Sequence, residues 1–362
     1  MEQGGLSTCC NSVDYRLVFA RNIKHGIVRL IRYSASIIIM RYYLLVVAFL
    51  SLSSDLFGQD LFVVSARQDW FDAREVDHGE SYQVAYFSQE LLDNHDTCCM
   101  LPSDDCLTES NEETLLRVIN DKKVLVLIHG MAKNWGQANK DFYNLYWSST
   151  AHLGEYDVVI ALSWPGDGHL GVAPYFFANK NTQDVALRMG HLFQEVSSKA
   201  GRLDFVTHSM GSKVLGYLMR EHEVEASNTL LLAPSIFRKK MKKGRKWHAL
   251  YSSTKEHVVV AYSNYDFAFS WTWVQHMGMG YNGMPLRKPE KYPRLVQLDC
   301  SEVINQPMYR RLPGGPFKSR SNHSMYTQSE PVFEAIADVL SKAVQDESSF
   351  VISGKGGQSN DK

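Results

Sequence analysis

The stretch Val206-Thr207-His208-Ser209-Met210-Gly211-Ser212 decides how the rest of the chain is read. Ahead of it, Leu203 to Val206 has the apolar pattern of a short buried strand; behind it, Lys213 to Arg220 carries Val214, Leu215, Tyr217 and Leu218 at helical spacing. A serine at such a junction is held on a sharp, strained turn. Its hydroxyl then projects from the sheet edge while the free backbone NH groups of the new helix face the same point. An acyl-transfer nucleophile needs both features. The usual pattern is Gly-x-Ser-x-Gly, and here Thr207 stands at the first glycine position. The competing reading is a serine that merely caps a helix.

Outward from this stretch, apolar strands alternate with amphipathic helices. Strands are expected at Leu61 to Ala66, Tyr82 to Phe87, Val124 to Ile128, Val158 to Leu162, Leu230 to Ala233, Val258 to Tyr262 and Leu295 to Leu298. Helices are expected around Phe142, Leu145 and Tyr146, around Val185 to Val196, and around Val332 to Leu340. Asp93 to Ser110 reads as a polar, cysteine-bearing loop, and Ser110 with Glu113 has capping-box form for a short helix behind it. The alternation predicts a parallel sheet covered on both faces, which binds ligands outside the carboxyl ends of its strands.

That rim carries the remaining chemistry. His129-Gly130-Met131 follows the strand ending at Ile128, and Ser163-Trp164-Pro165-Gly166 follows the next. Glycines there allow close backbone approach, and a backbone donor could face the Ser209 hydroxyl; a simple turn is the plainer reading of His129-Gly130. A serine nucleophile needs a base, and the base an orienting carboxylate. Asp266 follows the strand at Val258, and His323 follows the last core strand after a long loop. The chain order Ser, Asp, His favours this set. Asp299, Asp204 and His276 compete for the same roles, and His208 is expected to point to the other side of the turn as packed support. Trp135, Trp164 and Tyr175, with Phe176 and Phe177, are candidates to line a substrate pocket, with core or lid packing as the alternative. Trp271 and Trp273 hold a comparable position after Asp266.

On His129-Gly130, Ser163-Trp164-Pro165, Thr207-His208-Ser209-Met210-Gly211-Ser212, Ala233-Pro234, Asn264-Tyr265-Asp266 and His323-Ser324, the chain resembles the α/β-hydrolase superfamily. It looks most like that superfamily's mainly uncharacterised bacterial esterase/lipase-like branch. The resemblance implies an α/β-hydrolase fold, a mostly parallel central sheet with helices on both faces. It also implies Ser209 as nucleophile, His323 as base, Asp266 as acid, and the backbone NH groups of Met131 and Met210 as oxyanion hole. Ser235 stands where similar proteins often carry an acid, which removes one alternative carboxylate.

The ends of the 362-residue chain differ from its middle. Arg41 precedes the apolar run Tyr42 to Leu52, with small and polar residues behind it, the form of a signal peptide starting at Met40 and cleaved near Gly58. Residues 1–39 are then an over-called start and 1–58 a leader. An uncleaved anchor over Ile37 to Leu52, or a buried helix, are the other readings. The hydrolase domain is expected over 59–345 and a disordered polar tail over 346–362. Export to the periplasm or exterior follows from the leader, with membrane contact only through it.

With 44% hydrophobic and 21% charged residues and a net charge of −1, the composition is that of an ordinary globular protein and suggests no nucleic-acid partner. The basic run Arg238 to Lys246 reads as a solvated face before an anion-steering or membrane-touching one. Cys98, Cys99 and Cys106 read as a loop staple before a metal site with His95. No nucleotide loop or metal cluster is present, so no cofactor is required. The substrate expected is a small-molecule or lipid ester. An acyltransferase or peptidase of the same fold, or an inactive binding protein, stays open.

Overall fold

Alternation within the strands builds the molecule in layers. The computed structural model describes residues 60–67, 82–87, 107–131, 135–166, 172–270, 278–283, 292–304, 309–311, 318–320, 322–342 and 349–351. The leader, Cys98, Cys99 and Cys106 with His95, His276, Trp271 and Trp273 lie outside them, as do the side chains of Trp135, Tyr175, Phe176 and Phe177.

The strands are β1 (Asp60–Ser65), β2 (Gln83–Phe87), β3 (Leu107–Ser110), β4 (Lys123–Ile128), β5 (Val158–Ser163), β6 (Arg202–His208), β7 (Asn228–Leu232), β8 (Val258–Tyr262), β9 (Leu295–Asp299), β10 (Tyr309–Arg311), β11 (Lys318–Arg320) and β12 (Ser349–Val351). Ten of them form one sheet in the order β12-β9-β8-β7-β6-β4-β5-β1-β2-β3, and β10 pairs with β11 apart from it. From β12 to β1 every pairing is parallel; β2 pairs antiparallel with both β1 and β3. The mostly parallel sheet expected from the alternating pattern is therefore present.

Five longer helices cover it: α1 (Glu112–Val118), α2 (Trp135–His152), α3 (Val172–Lys199), α4 (Gly211–Glu221) and α5 (Glu330–Ser341). Successive side chains of a strand point to opposite faces, and β4 shows the result. Val124, Val126 and Ile128 pack with Val185, Met189 and Val214 of α3 and α4. Leu125 and Leu127 pack with Phe142 and Leu145 of α2 and with Val332 and Ile336 of α5. A strand buried on both sides needs the unbroken apolar sequence that β4 and β5 have.

Three local expectations change. Leu107–Ser110 is a strand instead of loop, because β2 offers it an unpaired edge and Val84 pairs with Ser110. Helix α1 is accordingly capped one residue later. Asn111, not Ser110, holds the N-cap, its side-chain oxygen accepting from the Thr114 NH at 2.8 Å. The tail expected to be disordered contributes Ser349–Val351, which pairs parallel with Gln297 to Asp299 at the far edge of the sheet. Its Ser-Phe-Val sequence is the one β-favouring stretch of an otherwise polar segment.

Candidate active site

Strand β6 ends in a turn that its own sequence has to force. Thr207 is still in the ladder, paired with Ile128 on one side and Leu231 on the other. Two residues on, Ser209 has φ +52°, the left-handed region that costs an L-residue about 1 kcal/mol or more. The chain is held there by the neighbouring strand. Ser209 NH donates to Leu232 O at 2.9 Å, and Ser235 NH donates to Ser209 O at 3.1 Å. Helix α4 then starts at Gly211, where a Cβ would lie 2.7 Å from the carbonyl oxygens of both Ile128 and His129. Only glycine lets the helix start so close to β4. Thr207 in place of the usual first glycine leaves the elbow intact, since the strained residue comes after the ladder ends.

The turn after β4 lies directly against this elbow. A Cβ on Gly130 would stand 3.1 Å from Ser209 Cβ and 2.9 Å from His208 Nδ1. Its shape is set by Trp164, at the end of β5. The Trp164 indole NH donates to His129 O at 2.9 Å, and its backbone NH donates to His129 Nε2 at 3.1 Å. That makes Nε2 an acceptor, so the His129 proton sits on Nδ1 and goes to Gly130 O at 2.7 Å. The two rings stack, 5.5 Å apart and 11° from parallel.

Trp164 is fully buried, which corrects its expected place in a substrate pocket. It shapes the turn that carries Met131 and lies too deep to line a binding surface. Buried Arg67 completes the support, with Nε donating to Ser163 Oγ at 3.0 Å and Nη2 to Trp164 O at 2.8 Å. Sequence reasoning missed Arg67. Its one available signal was an arginine directly after an apolar strand.

Asp266 and His323 come from separate loops and meet. Asp266 follows β8 and is fully buried; its Oδ1 accepts from the Ala268 NH at 3.0 Å and its Oδ2 from His323 Nδ1 at 2.7 Å. His323 opens the 3₁₀ turn His323–Gln328, and its side chain keeps 16% exposure, enough to be reached from outside. Asn322 ties the two loops together by donating to Tyr265 O at 2.7 Å and to Ile304 O. Phe269 packs edge-on against the His323 ring, centroids 5.2 Å apart. In the same turn, burial first and the charge of Asp266 second push the Tyr326 phenol well above its ordinary pKa.

The link between the serine and the imidazole is His208. Its Nε2 donates to His323 O at 2.9 Å, and the two rings stand 4.7 Å apart. The expectation that His208 points away from the site is corrected: it is buried, but it packs against His323. The competing carboxylates are engaged elsewhere. Asp299 accepts from Tyr262 OH at 3.2 Å and the Ser301 NH at 3.0 Å, and Asp204 lies at the opposite end of β6. Met131 directly follows Gly130, whose turn lies against the elbow, and Met210 is the residue between Ser209 and the start of α4.

Among the described residues, no group of three or more His, Cys, Asp or Glu side chains is placed to hold a metal ion. The open depression between α1 and α3, lined by Glu112, Arg117, Glu195 and Lys199, shares no residue with this site.

Residues 107–276 match the model of a family described as an alpha/beta hydrolase of unknown function (DUF900). The match takes in the Gly130 turn, Ser209 and Asp266 and stops short of His323. No curated protein and no solved structure matches the chain.

Proposed function

Since the chain belongs to the α/β-hydrolase superfamily, we propose that it is a serine hydrolase acting on carboxylic esters through an acyl-enzyme. Ser209 is the nucleophile, His323 the general base and Asp266 the carboxylate that orients it. The observation that carries this reading is the 2.9 Å bond from His208 to His323 O, which brings an Asp266-held imidazole beside the residue that follows His208, the strained Ser209.

The chemistry follows from the tautomer. Asp266 accepts the Nδ1 proton, so His323 Nε2 carries a lone pair that can take the Ser209 proton as Oγ attacks the ester carbonyl. The imidazolium formed is stabilised by the buried carboxylate beside it. The oxyanion goes to the backbone NH groups of Met131 and Met210, whose positions the Trp164-held turn and the start of α4 determine. His323 then returns the proton to the departing alkoxide, and water repeats the sequence on the acyl-enzyme. A small-molecule or lipid ester suits the site, and the apolar run after Arg41 supports export of the enzyme.

The test is covalent labelling with a fluorophosphonate alongside hydrolysis of short-chain nitrophenyl esters. The wild-type chain is expected to be labelled and active, and Ser209→Ala to be folded, unlabelled and inactive. Equal labelling of Ser209→Ala would remove Ser209 from its role, and an unlabelled wild type would favour a binding protein on the same fold. A panel of thioesters, amides and alternative acceptors separates esterase from acyltransferase or peptidase. Intact-mass measurement of the exported chain reports cleavage near Gly58.

A further inference from the structure

We propose that His208, backed by Asp141, is a positioning residue that locks the backbone of His323 to the nucleophile elbow. The inference rests on the reading of Ser209, His323 and Asp266 as the reacting set. Asp266 orients the His323 ring through one bond to Nδ1, but a single bond to the ring does not fix where the residue's backbone sits. His323 lies on a 3₁₀ turn whose Asn322 is bonded to Tyr265 O and Ile304 O, neither of them on β6, so its register against Ser209 needs a tie to β6 itself. His208 supplies that tie. It is the last residue of β6, directly before Ser209, and its Nε2–H donates to His323 O at 2.9 Å.

The ring making this bond is itself held. His208 is 2% exposed, and the Oδ2 of buried Asp141, from α2, stands 3.8 Å from its Nδ1. The carbonyl accepts from Nε2 and sets the ring's orientation, while the carboxylate, beyond hydrogen-bond distance, gives the Nδ1 side a negative neighbour. Gly130 closes the third side, since a Cβ there would approach His208 Nδ1 to 2.9 Å. One imidazole therefore touches the turn leading to one candidate oxyanion donor, the residue before the nucleophile and the backbone of the base. Moving any of the three by an ångström is the kind of displacement that costs about 100-fold in rate.

The experiment compares the full chain with Ser209→Ala, His208→Ala, His208→Gln and Asp141→Asn. His208→Ala is expected to lower kcat on a nitrophenyl ester about 10- to 100-fold with KM within about two-fold, because substrate contacts remain and only the base is displaced. His208→Gln, whose amide NH reaches as far as Nε2, is expected to recover most of that loss. Asp141→Asn, which keeps the shape, is expected to show a smaller loss. The far-downfield proton resonance of the His323–Asp266 bond, assigned by its absence in Asp266→Asn, is expected to broaden in His208→Ala and return in His208→Gln.

Wild-type kcat and an unchanged resonance in folded His208→Ala would overturn the proposal, as would a His208→Gln variant no better than the alanine. If His208→Ala does not fold, Asp141→Asn carries the same readouts, and an unaltered kcat and resonance there count against the proposal. Should the wild type itself resist the fluorophosphonate, the esterase reading fails on its own. The resonance then decides the positioning claim separately.

Discussion

At the amino end of β6, Asp204 is buried among four donors: Tyr156 OH and Arg202 Nε on one oxygen, the Asn228 NH and Nδ2 on the other. At the opposite rim of the sheet, Asp266 is equally buried but spends one oxygen on a helix-capping NH and the other on a histidine that remains reachable from outside. The first carboxylate is saturated by groups that belong to the scaffold. Its surroundings continue as a closed network, with Arg202 and Asn228 both reaching Glu256, and the His257 NH reaching Asn228 Oδ1. Around the second, the backbone is strained at Ser209 and at Ala233, and glycines at 130 and 211 bring the ends of β4 and β6 into contact. Burial alone does not mark a working carboxylate. What sets Asp266 apart is a histidine partner still reachable from outside, beside backbone held in an unfavourable conformation.

The contrast can be broken most directly by exchanging which rim is damaged. Asp266→Asn keeps the shape of the side chain but removes the carboxylate acceptor for His323 Nδ1–H; kcat on esters should fall about 10⁴-fold, with the melting temperature little changed. Asp204→Ala should do the reverse. It takes the acceptor from Arg202 Nε, Tyr156 OH and the buried Asn228 NH, and should lower the stability measured by urea unfolding by about 2 kcal/mol while leaving kcat of the folded protein unchanged. A loss of kcat in Asp204→Ala comparable to that of Asp266→Asn would erase the distinction between the rims. Between these lies Trp164→Phe, which removes the indole NH bond to His129 O. It should lower stability by about 1 kcal/mol and kcat several-fold, read from the same unfolding curves and ester assays.

Much of this was legible before any coordinates, for a physical reason. A parallel sheet covered on both faces needs continuous apolar strands, so Val124 to Ile128 and Val158 to Leu162 announce themselves, and carboxyl-end chemistry follows from where those runs stop. Ser209, Asp266 and His323 could be put forward as one set because chain order and strand ends are sequence properties, and the structure holds Asp266 and His323 2.7 Å apart. Trp164 and His208 were misplaced because the direction of a side chain at a strand end depends on what crosses it. Only the approach of the Gly130 turn and of the His323 loop decides which way each ring faces. Ala233 was read as the last residue of its strand, yet its φ of +46° ends the ladder at Leu232. Alanine carries no sequence signal for that conformation. Asn111 took the cap expected of Ser110 because the edge of β2 claimed Ser110 first, a tertiary contact that no local pattern encodes.

The smallest expected effect also comes from the amino rim and concerns pH. His257 is buried at the start of β8, with its Nδ1 3.2 Å from Asn228 Oδ1. An amide oxygen only accepts, so Nδ1 holds a proton. Burial, the largest influence, lowers its pKa below the ordinary 6.5, with the charge of nearby Glu256 opposing the shift in part. The unfolded chain therefore binds a proton at this residue at a pH where the folded protein does not. The stability this contributes is fully present above about pH 6.5 and is lost as the pH falls from there through the lowered folded value. In urea unfolding at pH 7.5 and pH 5.5, wild type should lose more stability between the two than His257→Gln, which cannot take up the proton. The ester-hydrolysis pH profile of that variant should overlay the wild-type curve, because His257 stands at the rim opposite Ser209. A pH profile displaced by His257→Gln would mean that the two rims are coupled through the sheet and that the amino-end network is more than scaffold.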